Sequence, residues 1–164
     1  MRQLKEKLHK VYGYNDKRVK NIDKMRAFIV DDRSDRDINS RGQLYPYFCS
    51  ILVMPKSENQ VNVILSGNIP QNDNLKIWLQ QNNLELKQRG PHENEHDLNI
   101  VITPSNPEIL NQLAKQFEKI IEPGKRYKIN NYKYVCPRNA NSLRRLADTL
   151  RTHWDSPSTP MPPH

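Results

Sequence analysis

The chain has 164 residues, of which 35% are hydrophobic and 27% charged, and its formal net charge is +8. This length suits one domain. No apolar leader follows Met1, and the longest apolar run, residues 48–54, is far shorter than the roughly 20 residues of a membrane span. We therefore expect a soluble, cytoplasmic protein in which residues 1–154 form a single α+β domain. Residues 155–164 hold four prolines and are expected to be a disordered tail.

The first half of the chain is predicted to hold one helix and three strands. Leu4, Leu8 and Val11 recur at helical spacing, which indicates a short amphipathic helix that ends at Gly13. Short apolar clusters predict strands over residues 25–31, 44–54 and 61–65. Pro55 is expected to stop the second of these strands, and the polar residues after it suit a hairpin connection to the third.

The second half alternates helices with strands. Apolar faces of helical period predict helices around residues 75–79, 105–121 and 139–154. Strands are predicted over residues 84–88, 98–103 and 127–136. The order from residue 61 onward is β-α-β-β-α-β, which predicts a ferredoxin-like centre over about 61–136 in an antiparallel or mixed sheet. An N-terminal helix and β-hairpin and a C-terminal helix would flank it.

Charge is divided unevenly along the chain. Residues 1–26 hold nine Lys/Arg against three Asp/Glu, and residues 122–164 hold eight against three, whereas residues 27–121 hold nine against twelve. The two ends are therefore basic, at +6 and +5, and the middle carries −3. If both ends fold onto one side of the molecule, they form a positive surface able to meet a polyphosphate.

Candidate binding residues lie in both basic ends. The C-terminal third interleaves cations, which contact phosphates, with tyrosines, whose ring faces accept unpaired bases. Its candidates are Lys125, Arg126, Tyr127, Lys128, Tyr132, Lys133, Tyr134 and Arg138, followed on the last helix by Arg144, Arg145 and Arg151. The N-terminal candidates are Lys17, Arg18, Lys20, Lys24 and Arg26.

This pattern favours a non-catalytic, regulatory nucleic-acid-binding protein, and it leaves open whether DNA or RNA is bound. One alternative is an interaction protein that holds an acidic protein surface without nucleic acid. Tyr and Lys also alternate in ordinary edge strands, where Lys discourages edge pairing. An exposed edge strand would in turn offer a route to a homodimer.

A second alternative is a magnesium-dependent nuclease. Asp31 and Asp32 end a predicted strand, and paired carboxylates at a strand end can hold Mg²⁺ for phosphodiester cleavage. Glu85 and Lys87 lie on one face of a later strand, in a spacing that resembles the acidic-x-Lys part of the PD-(D/E)xK nuclease pattern. The upstream Pro-Asp pair of that pattern is missing, so a salt-bridged loop competes with a catalytic site.

Residues 92–96 read His-Glu-Asn-Glu-His and match the HExxH pattern. In zinc proteases this motif lies on a helix, which places the two His one turn apart. Gly90 and Pro91 precede it here and a predicted strand follows, so His92 and His96 indicate a polar loop rather than a metal site. The sequence contains no Gly-x-Ser-x-Gly elbow and no glycine-rich phosphate loop. We therefore expect a binding protein rather than an enzyme, and no cofactor.

Overall fold

The computed structural model describes residues 1–13, 20–32, 49–67, 69, 72–90, 95–120 and 136–155. Within these ranges the chain has an α+β architecture, with a five-stranded sheet and four α-helices. The helices are α1 (Arg2–Tyr12), α2 (Asp73–Gln81), α3 (Glu108–Ile120) and α4 (Cys136–Asp155). The strands are β1 (Phe28–Asp31), β2 (Cys49–Ser57), β3 (Gln60–Gly67), β4 (Lys87–Gln88) and β5 (His96–Ile102). A 3-10 turn at Ile22–Lys24 precedes β1.

The strands lie in the order β1-β2-β3-β5-β4, and each neighbouring pair is antiparallel. In the centre of the sheet Val53 lies opposite Val63, and Val63 lies opposite Ile100. These three residues are buried, whereas Asn99 and Val101 on either side of Ile100 are exposed. Because side chains alternate between the faces of a strand, one face of the sheet is the core face and the other is a second face that points away from it.

The helices cover the core face. Leu4 of α1, Leu79 of α2, Phe117 of α3 and Leu146 of α4 belong to one buried cluster, together with the inward side chains of the strands. Each of these side chains is at most 4% exposed. Burial of one Leu or Phe side chain contributes about 1.5–3 kcal/mol, so this shared cluster supplies the main force that holds the helices on the sheet.

Helices α3 and α4 pack side by side in opposite directions. Glu108 in the first turn of α3 lies 3.6 Å from Arg151 near the end of α4. Glu118, near the end of α3, forms an ion pair with Arg144, in the first half of α4. These ion pairs lie at opposite ends of the contact, so the two helices run antiparallel.

The strand order is not ferredoxin-like, so the predicted centre over 61–136 is not confirmed. Strand β5 does lie between β3 and β4, as in a split β-α-β unit. The place on the other side of β3, however, is taken by β2, which joins β3 through a tight turn at Glu58 and Asn59. Of the predicted last strand, 127–136, only Cys136 is described, and it begins α4.

Pro55 does not stop the second strand, which continues to Ser57. The prediction fails because Pro55 lies where β2 has a neighbour on one side alone. On that side Pro55 pairs with Val61 of β3, whereas the first residue of β1, Phe28, lies opposite Val53. A proline is tolerated in a strand where its missing N–H faces an unpaired edge.

Several further boundaries differ from prediction. The strand predicted over 84–88 shortens to Lys87–Gln88, and β5 begins at His96 instead of residue 98. Helix α4 extends to Asp155, which was predicted to begin the tail, and residues 156–164 lie outside the described residues. None of the helices in the described ranges is both long and apolar enough to span a bilayer.

Candidate nucleic-acid interface

The structure describes the side chains of six of the sixteen predicted binding residues: Lys20, Lys24, Arg26, Arg144, Arg145 and Arg151. Arg138 lies in the first turn of α4. The remaining nine lie outside the described residues: Lys17, Arg18, Lys125, Arg126, Tyr127, Lys128, Tyr132, Lys133 and Tyr134. The interface can therefore be built from α1, the 3-10 turn and α4.

Helices α1 and α4 meet through a cation and an aromatic ring. The guanidinium carbon of Arg145 lies 5.7 Å from the centroid of the Tyr12 ring, within the range of a cation–π contact. Arg145 is exposed, and Tyr12 is partly buried. Such a contact at an exposed site is worth about 0.5–1 kcal/mol. It places an arginine of the C-terminal basic end against the last residue of the N-terminal helix.

Burial keeps Tyr12 in its neutral form. The pKa of the phenol is raised above its ordinary value by loss of water around the hydroxyl, and the neighbouring Thr149 and Arg145 offset this rise in part. Thr149 in turn donates a hydrogen bond of 2.9 Å to the backbone carbonyl of Arg145. The ring therefore gives Arg145 an uncharged platform, held in place by residues of both helices.

At the other end of the same helix pair, Lys7 of α1 lies near His153 of α4. The pKa of His153 is lowered, mainly by burial and then by the positive charges of Lys7 and the Met1 amino group. Lys10 is exposed on α1 between Lys7 and Tyr12. We call the side of the molecule formed by these two helices the α1–α4 surface, defined by Lys7, Tyr12 and Arg145. Lys10 lies two positions before Tyr12 and therefore on the opposite side of α1.

Arg144 and Arg151 are engaged in helix packing. Glu118 hydrogen-bonds to Arg144 and raises the pKa of its guanidinium. Arg151 lies 2.5 Å from Asp148 and 3.6 Å from Glu108. A ligand phosphate would have to compete with these carboxylates, so Arg145 is the described arginine of α4 best placed to contact one.

The 3-10 turn contacts α1 through Asp23. Lys5 Nζ donates a 2.9 Å hydrogen bond to the carbonyl of Asp23, and Arg2 forms a 2.6 Å ion pair with the Asp23 carboxylate. Lys20 precedes this turn, Lys24 ends it and Arg26 follows it, and all three are exposed. Helix α1 therefore contacts the 3-10 turn through Arg2 and Lys5, and α4 through Tyr12.

The nuclease candidates do not form one site. Asp31 is 4% exposed and accepts hydrogen bonds from Asn139 Nδ2 at 3.0 Å and Ser142 Oγ at 3.2 Å. Asp32 is exposed. Asp31 ends β1 and Glu85 lies two residues before β4, and these strands are the two edges of the sheet, about 19 Å apart with three strands between them. Ligands of one Mg²⁺ lie at about 2.1 Å from the ion, which this separation precludes.

His96 and His92 are not placed as a helical zinc motif. His96 begins β5, is buried, and lies opposite Gly67 and Gln88 in the sheet. His92 lies outside the described residues. Across the described ranges no three His, Cys, Asp or Glu side chains converge as metal ligands.

The sequence did not predict two features of the structure. Glu58 lies in the turn between β2 and β3. Its carboxylate accepts a 2.9 Å hydrogen bond from the backbone N–H of Leu4 and forms an ion pair with the Met1 amino group. Its backbone carbonyl accepts a 2.8 Å hydrogen bond from Trp154 Nε1. A cavity of about 290 Å³ also opens beside β4. Glu58 had no sequence signal beyond its place in a short turn, and the cavity depends on a strand pairing that spacing cannot reveal.

Comparison of the chain with models of protein families, with curated proteins and with solved structures finds no match, so the function has to be argued from the geometry alone.

Proposed function

We propose that the protein is a non-catalytic nucleic-acid-binding protein whose α1–α4 surface contacts the phosphate backbone. The observation that carries this proposal is the contact of Arg145 with Tyr12, which brings the C-terminal basic end against the N-terminal helix. The charge layout supports it, because residues 1–26 and 122–164, which supply Tyr12 and Arg145, carry +6 and +5 within a chain of +8.

The chemistry of Arg145 suits a phosphate. A guanidinium plane that rests on an aromatic ring keeps its N–H groups at the edge of the plane, where two of them can bind one phosphate. No carboxylate in the described part of the chain forms an ion pair with Arg145, in contrast to Arg144 and Arg151. The exposed face of the guanidinium can also stack on an unpaired base.

An acidic protein segment offers similar negative charge. It differs from nucleic acid in the spacing and geometry of its charged groups. Phosphates lie at a regular spacing and can each take two N–H donors, whereas the carboxylates of a flexible acidic peptide have no fixed spacing. We therefore expect tighter binding to an oligonucleotide than to poly-glutamate of equal charge.

The proposal is tested by fluorescence anisotropy with labelled single-stranded and duplex DNA and RNA at low salt. Arg145→Glu should weaken binding at least about tenfold, because it removes one phosphate contact and introduces repulsion. The matched control is Lys115→Glu, an exposed cation on α3 that undergoes the same charge reversal. It should change affinity by no more than about threefold, through the net charge alone.

Equal losses for Arg145→Glu and Lys115→Glu would show that net charge, and not the α1–α4 surface, governs binding. Absence of binding to every nucleic acid, or stronger binding to poly-glutamate, would overturn the proposal. Circular dichroism of each variant checks that its helices are retained.

A further inference from the structure

The cavity beside β4 lies on the second face of the sheet. Its lining residues are Asn83, Leu84, Glu85, Lys87, Asp97 and Asn99. Asp97 and Asn99 alternate along β5 with the buried Leu98 and Ile100, so they point away from the helices. Its volume of about 290 Å³ is at the lower limit of ligand pockets, which suits a ligand the size of one nucleobase.

Asp97 has a hydrogen-bonding capacity that the protein leaves unused. Its Oδ1 is closed off from water, and no donor in the described part of the chain reaches it. A buried acceptor without a donor is costly. Asp97 also lines the cavity, and rotation about its broad terminal torsion can turn Oδ1 toward it. A ligand that offers N–H groups would satisfy this carboxylate.

Lys87 lies directly opposite Asp97 across the β4–β5 pair, so the two side chains are on the same face of the sheet. Opposite residues in an antiparallel pair have Cβ atoms about 4.5–5.5 Å apart. Even so, no hydrogen bond from Lys87 reaches Asp97 Oδ1. The cavity therefore presents a carboxylate acceptor next to an ammonium donor.

This order of donor and acceptor selects among nucleobases. The Watson–Crick edge of guanine has two adjacent donors, N1–H and the N2 amino group, which match the two oxygens of a carboxylate, and next to them the acceptor O6, which matches an ammonium. Adenine and cytosine each place a ring-nitrogen acceptor beside their amino donor, and uracil has one donor between two carbonyls. Each of these would set an acceptor against a carboxylate oxygen.

A guanidinium group also has two parallel donors and binds carboxylates well. It has no acceptor, however, so Lys87 would repel it, whereas guanine O6 accepts from Lys87. We propose that the cavity lined by Lys87 and Asp97 is a binding site for the Watson–Crick edge of an unpaired guanine, with Leu84 as its apolar wall. The inference does not depend on the α1–α4 surface, since β4 is at the edge of the sheet opposite β1.

The test is a titration of the full chain, labelled with ¹⁵N, with guanosine, followed by amide shifts. The nucleoside is used because it lacks the phosphate that the α1–α4 surface would attract. Guanosine should give saturable shifts in residues 83–90 and 95–99. Inosine, which lacks the N2 amino group, should bind at least about fivefold more weakly, and adenosine and agmatine should give no saturable shifts.

Asp97→Asn should reduce guanosine affinity at least about tenfold, because it replaces one carboxylate oxygen with a donor. Asp32→Asn makes the same chemical change on an exposed residue at the far edge of the sheet and should leave affinity unchanged. Equal binding of guanosine, inosine and adenosine, preference for agmatine, no shifts at millimolar guanosine, or equal affinities of the two variants would each overturn the proposal.

Discussion

Asp31 is a buried carboxylate whose partners come from the other end of the chain. It accepts hydrogen bonds from Asn139 and Ser142, more than 100 positions away in sequence, and thereby ties the end of β1 to the first half of α4. A carboxylate at a strand end is typical of metal sites, yet here its hydrogen bonds hold two elements together. The adjacent Asp32 is exposed.

Asp31→Ala should lower the free energy of unfolding by about 1–3 kcal/mol, because it leaves the buried amide of Asn139 without this acceptor. The measurement is chemical denaturation. Asp32→Ala, the exposed neighbour, is the control and should change stability by no more than about 0.5 kcal/mol. Equal effects of the two substitutions would contradict a structural role for Asp31.

His153 gives the stability a dependence on pH. In the unfolded chain its pKa has the ordinary value of about 6.5. In the folded protein its pKa is lower. The unfolded state therefore binds more protons, and stability falls as the pH drops below about 6.5, then levels off once the pH is below the folded pKa. Glu58 Oε1, at 3.7 Å from His153 Nε2, acts in the opposite direction.

Denaturation at pH 7.5 and 5.5 tests this. The wild-type chain should lose more stability on acidification than His153→Gln, in which the titrating group is absent. A variant that loses as much stability as the wild type would show that His153 does not contribute to this pH dependence.

At the scale of elements, the turn between β2 and β3 anchors two helices. The Glu58 carboxylate accepts the N–H of Leu4 in the first turn of α1, and the Glu58 carbonyl accepts the indole N–H of Trp154 in the last turn of α4. A carboxylate at a helix N-terminus satisfies an N–H that lacks an intrahelical partner and interacts favourably with the helix dipole.

Glu58→Ala should therefore speed amide hydrogen exchange in α1 and leave α3 unchanged, with a loss of about 1 kcal/mol in stability. The contact with Trp154 uses the backbone and should persist. The control is Glu6→Ala, an exposed carboxylate on α1 that pairs with Arg2. Its effect should be only about 0.2–0.5 kcal/mol. Uniform acceleration in all helices would instead indicate global destabilisation.

Elements with strong periodicity were predicted well. The apolar face of α3 gave its extent to within a few residues, because burial of that face is what stabilises the helix. The extent of β2 beyond Pro55 was not predictable, since it depends on where β1 begins alongside it. The two residues of β4 depend on pairing with β5 in the same way. Local sequence shows the periodicity of a helix or strand, but it does not show which strand will pair with it.

At the scale of the whole molecule, the arrangement of strands was the main error. The predicted element order was compatible with a ferredoxin-like sheet, but the hairpin places β2 beside β3, where the fourth ferredoxin strand would lie. The candidate binding residues stay a prediction, and the sequence does not distinguish the roles of its arginines. Sequence identified Arg144, Arg145 and Arg151 together, and only the positions of Glu118, Glu108 and Tyr12 distinguish their roles.

The charge of the whole chain determines how binding should respond to salt. Each phosphate neutralised releases condensed counterions, so the logarithm of affinity falls linearly with the logarithm of salt concentration. The slope is about −0.7 per contact for single strands and about −0.9 for duplex DNA. An α1–α4 surface that uses Lys7 and Arg145 would make about two contacts and give a slope of about −1.5 to −2.

The most direct test of the α1–α4 surface is the affinity for one oligonucleotide between about 50 and 200 mM salt, measured for the wild type and for Arg145→Gln. We expect a linear decline with a slope of about −1.5 to −2 for the wild type, and a slope shallower by about one for the variant. A flat response, or an identical slope for both proteins, would contradict phosphate binding through Arg145.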